Sequence, residues 1–398
     1  MRILIAGMTH FCDSPGGAQR IVFDEATELR SQGFEVWVLA QGNASQPEHE
    51  LQDGIHLLRY VPGRVATWNP ARRTVHQKAA AALLAKHLPR VDVIHGHVPL
   101  TYLAALDLYG GTVHSCYTIH SPAKLEMAIV WRNSSLLRRL AAPAGLAIIE
   151  RMERECLRRS RVVTALSQFT IDCIARIHGN GVARSVRLMP GWVDTSKFVP
   201  LENRDLAKRQ LGWPVDVPVL FTLRRLAPRM GLDRLLHACQ RLHSEQIRFH
   251  LMIGGTGPIR KDLEELARAL GLKDVVTFLG RIADRELPTA YGACDAFVLP
   301  TAELECFGLI ALEALAAGRP VLATPVGAIP EIIARFQPAW LSRSAKTDDF
   351  SDLLRRYFAG ALPVRGSAEL HDQADREFSR RVRLPNFLES TIGGLSIR

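Results

Sequence analysis

The chain runs to 398 residues, of which 47% are hydrophobic and 23% charged, with a formal net charge of +10. That length exceeds what one core usually serves and predicts two or three globular domains. No apolar run approaches the roughly 18 residues a membrane span needs, and MRILIAGM is too short and lacks the cleavage pattern of a secretory signal, so the reading is a cytoplasmic protein.

The first strand falls at Arg2–Gly7. Behind it, Pro15-Gly16-Gly17-Ala18-Gln19-Arg20 opens a helix over Gly17–Ser31 that places Ile21, Val22, Ala26 and Leu29 on one face and stops at Gly33. Gly16 and Gly17 permit close backbone approach, and the helix N-terminus favours an anion. The G-x-G-x-x-G dinucleotide fingerprint is absent, which disfavours a nicotinamide oxidoreductase. Further strands are expected at Glu35–Ala40, Ile55–Arg59, Asp92–His95, Thr112–Ile119, Val162–Leu166 and Val186–Met189. His95 and His97 lie two apart and share a face, where a structural and a functional histidine fit equally. No acidic or thiol partner stands out near them, so no metal site is read there. His120 ends its strand just before Ser121-Pro122 and is placed at a site. From Trp131 to Arg161 eight arginines, Arg138, Arg139, Arg158 and Arg159 among them, interleave with leucines and isoleucines. That stretch reads as a solvated helix partly balanced by Glu150, Glu153 and Glu155, and it is also compatible with peripheral contact at the inner face of a membrane.

A Pro- and Gly-punctuated passage around Pro190–Pro218 precedes a second series of strands. These are Val217–Leu223, Arg248–Ile253, Val275–Leu279, Ala296–Leu299, Val321–Ala323 and Ala339–Leu341. Strand–helix alternation in both halves predicts an α/β fold of two doubly wound parallel-sheet domains, at 1–195 and 196–375, with the ligand outside the carboxyl ends of the strands in the cleft between them. The tail, 376–398, holds a short helical pattern at Asp375–Val382 whose partner periodicity does not identify; a return to the first domain is open.

The seven cysteines are scattered and form no C-x-x-C pair, which reads as free thiols. The positive charge admits an anionic small substrate, a nucleic acid or an anionic membrane surface. Nucleic acid is the weakest of these, because no zinc finger, RNP-type aromatic motif or basic low-complexity tail occurs.

The chemistry concentrates in PTAELECFGLIALEALAAG. Glu305 and Glu313 would sit about 80° apart on a single helix, so they would not share a face. Placing Glu305 in the loop and Glu313 in a helix opened by Gly308 aims the N–H groups of Phe307, Gly308 and Leu309 outward, a ready diphosphate site. Glu313 then suits a ribose diol and Glu305 sugar hydroxyls.

E-C-F-G-L-I-A-L-E closely resembles the E-x7-E signature of retaining GT-B glycosyltransferases of family 4, and the resemblance runs from Met1 to about Ile333. It implies two Rossmann-like domains, a nucleoside-diphosphate sugar donor, an acceptor it does not identify, and metal-independent transfer with no cofactor beyond the nucleotide-sugar co-substrate. Carried over, Glu313 matches the ribose glutamate and Glu305 the donor-sugar glutamate. In LRRLAPRMG, Arg225 holds the arginine position at the diphosphate; Met230 replaces the usual lysine, and neighbouring Arg229 is the substitute, unless it is only a solvated basic loop. Ile253-Gly254-Gly255-Thr256-Gly257-Pro258 is similar to the family's glycine loop, and Gly280–Ile282 to the stretch meeting the nucleobase. Pro15–Arg20 resembles the GG loop, His95 and His97 the H-x-H pair, and His120 the histidine beside the reacting sugar. Gly191-Trp192-Val193-Asp194 with Phe198 resembles an interdomain segment, with Gly191 and Trp192 departing from the usual asparagine and glycine. Trp192 either reshapes the cleft or packs. The implied catalytic residues are His120, Glu305 and Arg225. The rivals are a non-catalytic GT-B homologue that binds a nucleotide or a partner enzyme, and a GT-B nucleotide-sugar epimerase.

Overall fold

The computed structural model describes residues 1–7, 16–63, 71–111, 113–132 and 134–393. Cys12, Pro15 and Thr112 lie outside the described residues. The chain divides into two compact units, Met1–Pro190 with the stretch from Leu384, and Gly191–Arg383. The first boundary therefore falls at Pro190/Gly191, ahead of the expected 195/196, and the second at Arg383/Leu384, inside the expected 376–398 tail.

The first unit holds eight strands: β1 (Arg2–Ala6), β2 (Glu35–Gln41), β3 (His49–Gln52), β4 (Ile55–Tyr60), β5 (Val93–Gly96), β6 (His114–Ile119), β7 (Val162–Ala165) and β8 (Val186–Leu188). They form one sheet in the order β3-β4-β2-β1-β5-β6-β7-β8. Every pairing is parallel except β3 with β4. The central strands are apolar runs buried on both faces, as a parallel sheet covered on both sides requires. β3, His-Glu-Leu-Gln, lacks such a run and was not expected. It pairs because Asp53 and Gly54 both take positive φ, 51° and 79°, and turn the chain tightly back into β4. The helix Gly17–Ser31 has the expected bounds.

The second unit carries β9 (Val219–Leu223), β10 (His250–Gly254), β11 (Val276–Gly280), β12 (Ala296–Leu299) and β13 (Val321–Ala323), all parallel in the order β11-β10-β9-β12-β13. Phe221, Tyr291 and Phe297 pack edge-on and tilted in its core. The sixth strand expected at Ala339–Leu341 is corrected: Pro338 starts a 3-10 turn through Trp340, and Leu341 makes only an isolated parallel bridge to Ala323. The helical pattern Asp375–Val382 straddles two helices, Ser367–Phe378 and Arg380–Ile392. Ser379 separates them with extended backbone and bridges Val193.

The arginine-rich segment forms the helix Leu136–Arg159. Arg154 pairs with Glu150, and Arg159 with Glu155 and Asp107. Glu153 does not balance surface charge, as expected of it; it is buried and accepts from Ala123 N and His178 Nε2. Among the described residues no helix is long and apolar enough to cross a membrane.

Candidate functional site

In each unit the strand order reverses once near the centre, between β1 and β5 in the first and between β9 and β12 in the second. Loops leaving the carboxyl ends of such strands diverge and open a crevice. The residues singled out in the sequence follow these strands.

In the second unit, Arg224 follows β9 and Glu305 follows β12. Arg224 Nη2 donates to Glu305 Oε2 at 2.6 Å, and Nη1 donates to the Thr301 hydroxyl. The pair is nearly enclosed, with side-chain exposures of 3% and 16%. Burial lowers the Arg224 pKa, and the Glu305 carboxylate works against that shift. Among the described residues, Arg224 Nε is buried without a partner. The Glu305 backbone is held from the other side, where its carbonyl accepts from Ala328 N at 2.8 Å. Arg229 braces the same loop: its Nη1 donates to Leu304 O at 2.7 Å, and its own carbonyl accepts from Ala302 and Glu303. Arg225, the expected phosphate ligand, is exposed at the end of β9. Met230, at the position of the missing lysine, is buried.

The helix Leu309–Ala316 starts from Gly308, which sits in the left-handed region at φ 98° and supplies no side-chain cap. The N–H groups of a helix's first turn point out of its N-terminus, and here no side-chain cap takes them, although Ala311 N turns back to Gly308 O at 2.9 Å. Phe307 is buried, with Gly191 against its ring edge: a Cβ there would lie 2.7 Å from Phe307 Cε1. That contact explains a glycine at the departing position 191, and buried Trp192 beside it packs in the unit. Glu313 accepts from Tyr291 Oη at 2.6 Å, a buried hydroxyl whose pKa burial, then Glu313, pushes well above its ordinary value.

The glycine loop after β10 has a packing explanation. Arg224 N donates to Gly254 O, and Leu226 N donates to Thr256 O. At Gly255, φ 109°, a Cβ would stand 1.8 Å from the Arg224 carbonyl, and at Gly257 2.1 Å from that of Leu226. Gly254 lies against Ile282, while Thr256 is exposed.

In the first unit, Gly16 caps the helix Gly17–Ser31 without a side-chain bond. Glu25, inside that helix, is fully buried beneath the ends of β5 and β6. This overturns the expectation that no acidic partner lies near His95 and His97. Glu25 Oε1 meets His95 Nδ1 at 2.5 Å, and Oε2 meets His97 Nε2 at 3.0 Å. His95 Nε2 reaches Thr118 Oγ1 at 2.7 Å, and His97 Nδ1 reaches His120 Nε2 at 2.7 Å. Burial raises the cost of charge throughout. For Glu25 the charge and hydrogen bond of His95, with the His97 bond, outweigh it and hold the carboxyl at about 2. For His95 the Glu25 carboxylate and the Cys116 thiol outweigh it and lift the ring to about 10. Burial and then the His95 charge press His97 down to about 4. His120 is pushed well below its ordinary value by burial, His97 and His95.

Three ligating atoms of Glu25, His95 and His97 lie within 4.8 Å of one another, spacing that would also suit a cation. Both nitrogens of each ring and both carboxylate oxygens are nevertheless hydrogen-bonded inside the cluster.

Two Rossmann-like parallel sheets, each with polar groups gathered at its switch point, define a GT-B glycosyltransferase. Residues 15–197 match the model of Glycosyltransferase Family 4, and residues 203–368 that of Glycosyl transferases group 1. A D-inositol 3-phosphate glycosyltransferase of Kineococcus radiotolerans is 30% identical over 332 residues, covering 79% of this chain and 74% of that protein. The chain belongs to this glycosyltransferase family. Among solved structures, sucrose-phosphate synthase from Thermosynechococcus elongatus superposes with a TM-score of 0.81 at 19% identity, over 99% of this chain and 100% of the other. Anabaena HepE in complex with UDP and glucose gives 0.77 at 18% identity, over 99% and 100%. At those identities the two likenesses bear on the fold.

Proposed function

We propose that this glycosyltransferase moves a hexosyl unit from a nucleoside-diphosphate sugar to an acceptor hydroxyl with retention of anomeric configuration and without a metal. The observation that carries the reading is the buried Arg224–Glu305 pair beside the uncapped N-terminus at Gly308. The backbone N–H groups of Phe307, Gly308 and Leu309 suit the donor diphosphate, with Arg225 as its exposed cation. Arg224 fixes one Glu305 oxygen and leaves the carboxylate to orient sugar hydroxyls. Glu313, steadied by Tyr291, takes the ribose diol. His120 is assigned the hydrogen bond to the reacting sugar. Charge grows on the leaving phosphate, and preorganised donors stabilise it without reorganisation. The departing phosphate takes the acceptor proton on the same face of the sugar, so Glu305 orients and does not attack. HepE, crystallised with UDP and glucose, supports a nucleotide-sugar donor. Exposed Leu136 and Leu140 beside Arg138 and Arg139 support peripheral membrane contact.

The test is nucleotide release from UDP-, GDP-, ADP- and dTDP-sugars, with and without D-inositol 3-phosphate as trial acceptor. One donor is expected to raise the melting temperature and release its nucleotide, and Glu305→Ala is expected to abolish release. No donor-induced rise and no release with any of the four would overturn the donor site and favour a non-catalytic homologue.

A further inference from the structure

The buried cluster of the first unit has a proton arrangement that its geometry fixes. An ionised carboxylate only accepts hydrogen bonds, so His95 Nδ1 and His97 Nε2 must each carry a proton toward Glu25. His95 uses its second nitrogen on the Thr118 hydroxyl, which in turn meets Thr164 Oγ1 at 2.7 Å. Of the two rings His95 stands closer to Glu25, at 2.5 Å against 3.0 Å, as the charge-assisted member of the pair does, so His95 is the cation, donating at both ends and neutralising Glu25. The His97 ring lies 4.3 Å from that cation, centroid to centroid, and a second positive charge there would be buried against it, with the one Glu25 carboxylate shared between two cations. His97 is therefore neutral and its Nδ1 is bare. A bare nitrogen 2.7 Å from His120 Nε2 is satisfied only if Nε2 carries the proton.

We propose that Glu25 and His97 are positioning residues that lock His120 as the neutral Nε2–H tautomer, so that its Nδ1 receives a hydroxyl of the bound sugar. The role at the sugar rests on the proposed function; the tautomer does not. His120 stands half-buried immediately after β6, at the carboxyl edge of the sheet, while Glu25 and His97 are enclosed behind it. A histidine whose protonated form is so disfavoured accepts a hydrogen bond but does not carry a proton, because a base active near neutrality needs a pKa near the working pH. The acceptor proton must then leave by another group, as transfer to the departing phosphate requires. A donor hydroxyl replaced by fluorine would lose this contact, since fluorine has no proton to give.

The experiment is imidazole nitrogen NMR on the full chain labelled with 15N-histidine, with no donor present. The His120 signals are assigned by their loss in His120→Asn. A protonated Nε2 and a bare Nδ1 are expected in the wild type, unchanged from about pH 5 to about pH 8, across the ordinary histidine range. His97→Gln keeps one donor for Glu25 and one acceptor for His120, and is expected to preserve that pattern. His97→Leu removes both, so His120 should show mixed tautomers and titrate closer to an ordinary histidine. If His97→Leu does not fold, the wild type and His97→Gln decide. A protonated Nδ1 in the wild type, titration of its His120 in the ordinary range, or a changed pattern in His97→Gln overturns the proposal. An unchanged pattern in folded His97→Leu does so as well. Failure of the transferase reading would appear separately, as silence of the donor panel with these signals intact.

Discussion

Two adjacent arginines at the end of β9 have opposite surroundings. In the segment leaving β9, Arg224 and Leu226 are buried, while Arg225 between them turns out to solvent. Replacing one partner of a buried ion pair leaves an uncompensated charge, at a cost of about 3–5 kcal/mol. Glu305 is 16% exposed, which favours the lower end of that range. Arg224→Met should therefore lower stability by about 3 kcal/mol in urea unfolding, whereas Arg225→Met should stay within about 0.5 kcal/mol, as exposed substitutions do. Arg225→Met should still weaken nucleotide binding, read as a smaller donor-induced melting shift. Equal stability loss in the two variants would contradict the assignment of Arg224 as the buried partner. The sequence marked Arg225 by its motif position. Nothing in its spacing marked Arg224 as buried, because it lies past the end of the strand and the carboxylate it meets is 81 positions away. Glu25 was legible: it falls on the helix stripe of Ile21, Val22 and Leu29, where a charge needs a buried partner. Periodicity shows the anomaly, and only the packed strands show that the partners are His95 and His97.

At the scale of elements, the segments carrying the site were readable because each follows an apolar strand and opens a helix. The helix at Gly308 and the strand ending before His120 lie where such boundaries place them. β3 escaped because an edge strand with one solvated face needs no apolar run, although Asp53-Gly54 is a strong hairpin signal. The glycine loop after β10 was read toward a nucleotide, whereas Gly255 and Gly257 are required by the neighbouring backbone of Arg224 and Leu226. Two glycines separate strain from crowding. At Gly308 an added Cβ would meet nothing closer than Glu305 Cγ at 3.9 Å, so Gly308→Ala carries only the left-handed backbone penalty of about 1–2 kcal/mol. At Gly255 the same penalty is joined by a collision with the Arg224 carbonyl. Gly255→Ala should cost clearly more than Gly308→Ala in denaturant midpoint and should displace Arg224. Equal midpoints for the two alanines would show that the loop moves aside freely and does not support the Arg224–Glu305 pair.

At the scale of the whole molecule, the buried cluster makes stability depend on pH in both directions. His97 is held at about 4, whereas an unfolded histidine titrates near 6.5. Between those values the unfolded chain binds a proton that the folded chain refuses, so stability falls as pH drops. That interval corresponds to about 3 kcal/mol at about 1.36 kcal/mol per pKa unit. His120, also depressed, acts with the same sign. Glu25, lowered to about 2 from 4.5, adds a further loss below the ordinary carboxylate range, as pH falls through its folded value. His95 works oppositely. Raised to about 10 by Glu25 and Cys116, it holds a proton that the unfolded chain has lost, so its contribution is complete below about 6.5 and disappears as pH rises through 10. These signs place the cluster's greatest stabilisation near the ordinary histidine pKa. Calorimetry across pH should show the melting temperature declining on both sides of that point. His97→Gln removes one depressed histidine, preserves the hydrogen-bonding pattern and leaves the alkaline limb to His95. It should therefore flatten the decline between about pH 6.5 and about pH 4 while sparing the alkaline one. An acid limb equally steep in His97→Gln would mean that His97 is already protonated in the folded chain. His97 would then donate from Nδ1, and His120 Nε2 could not carry the proton that its tautomer requires.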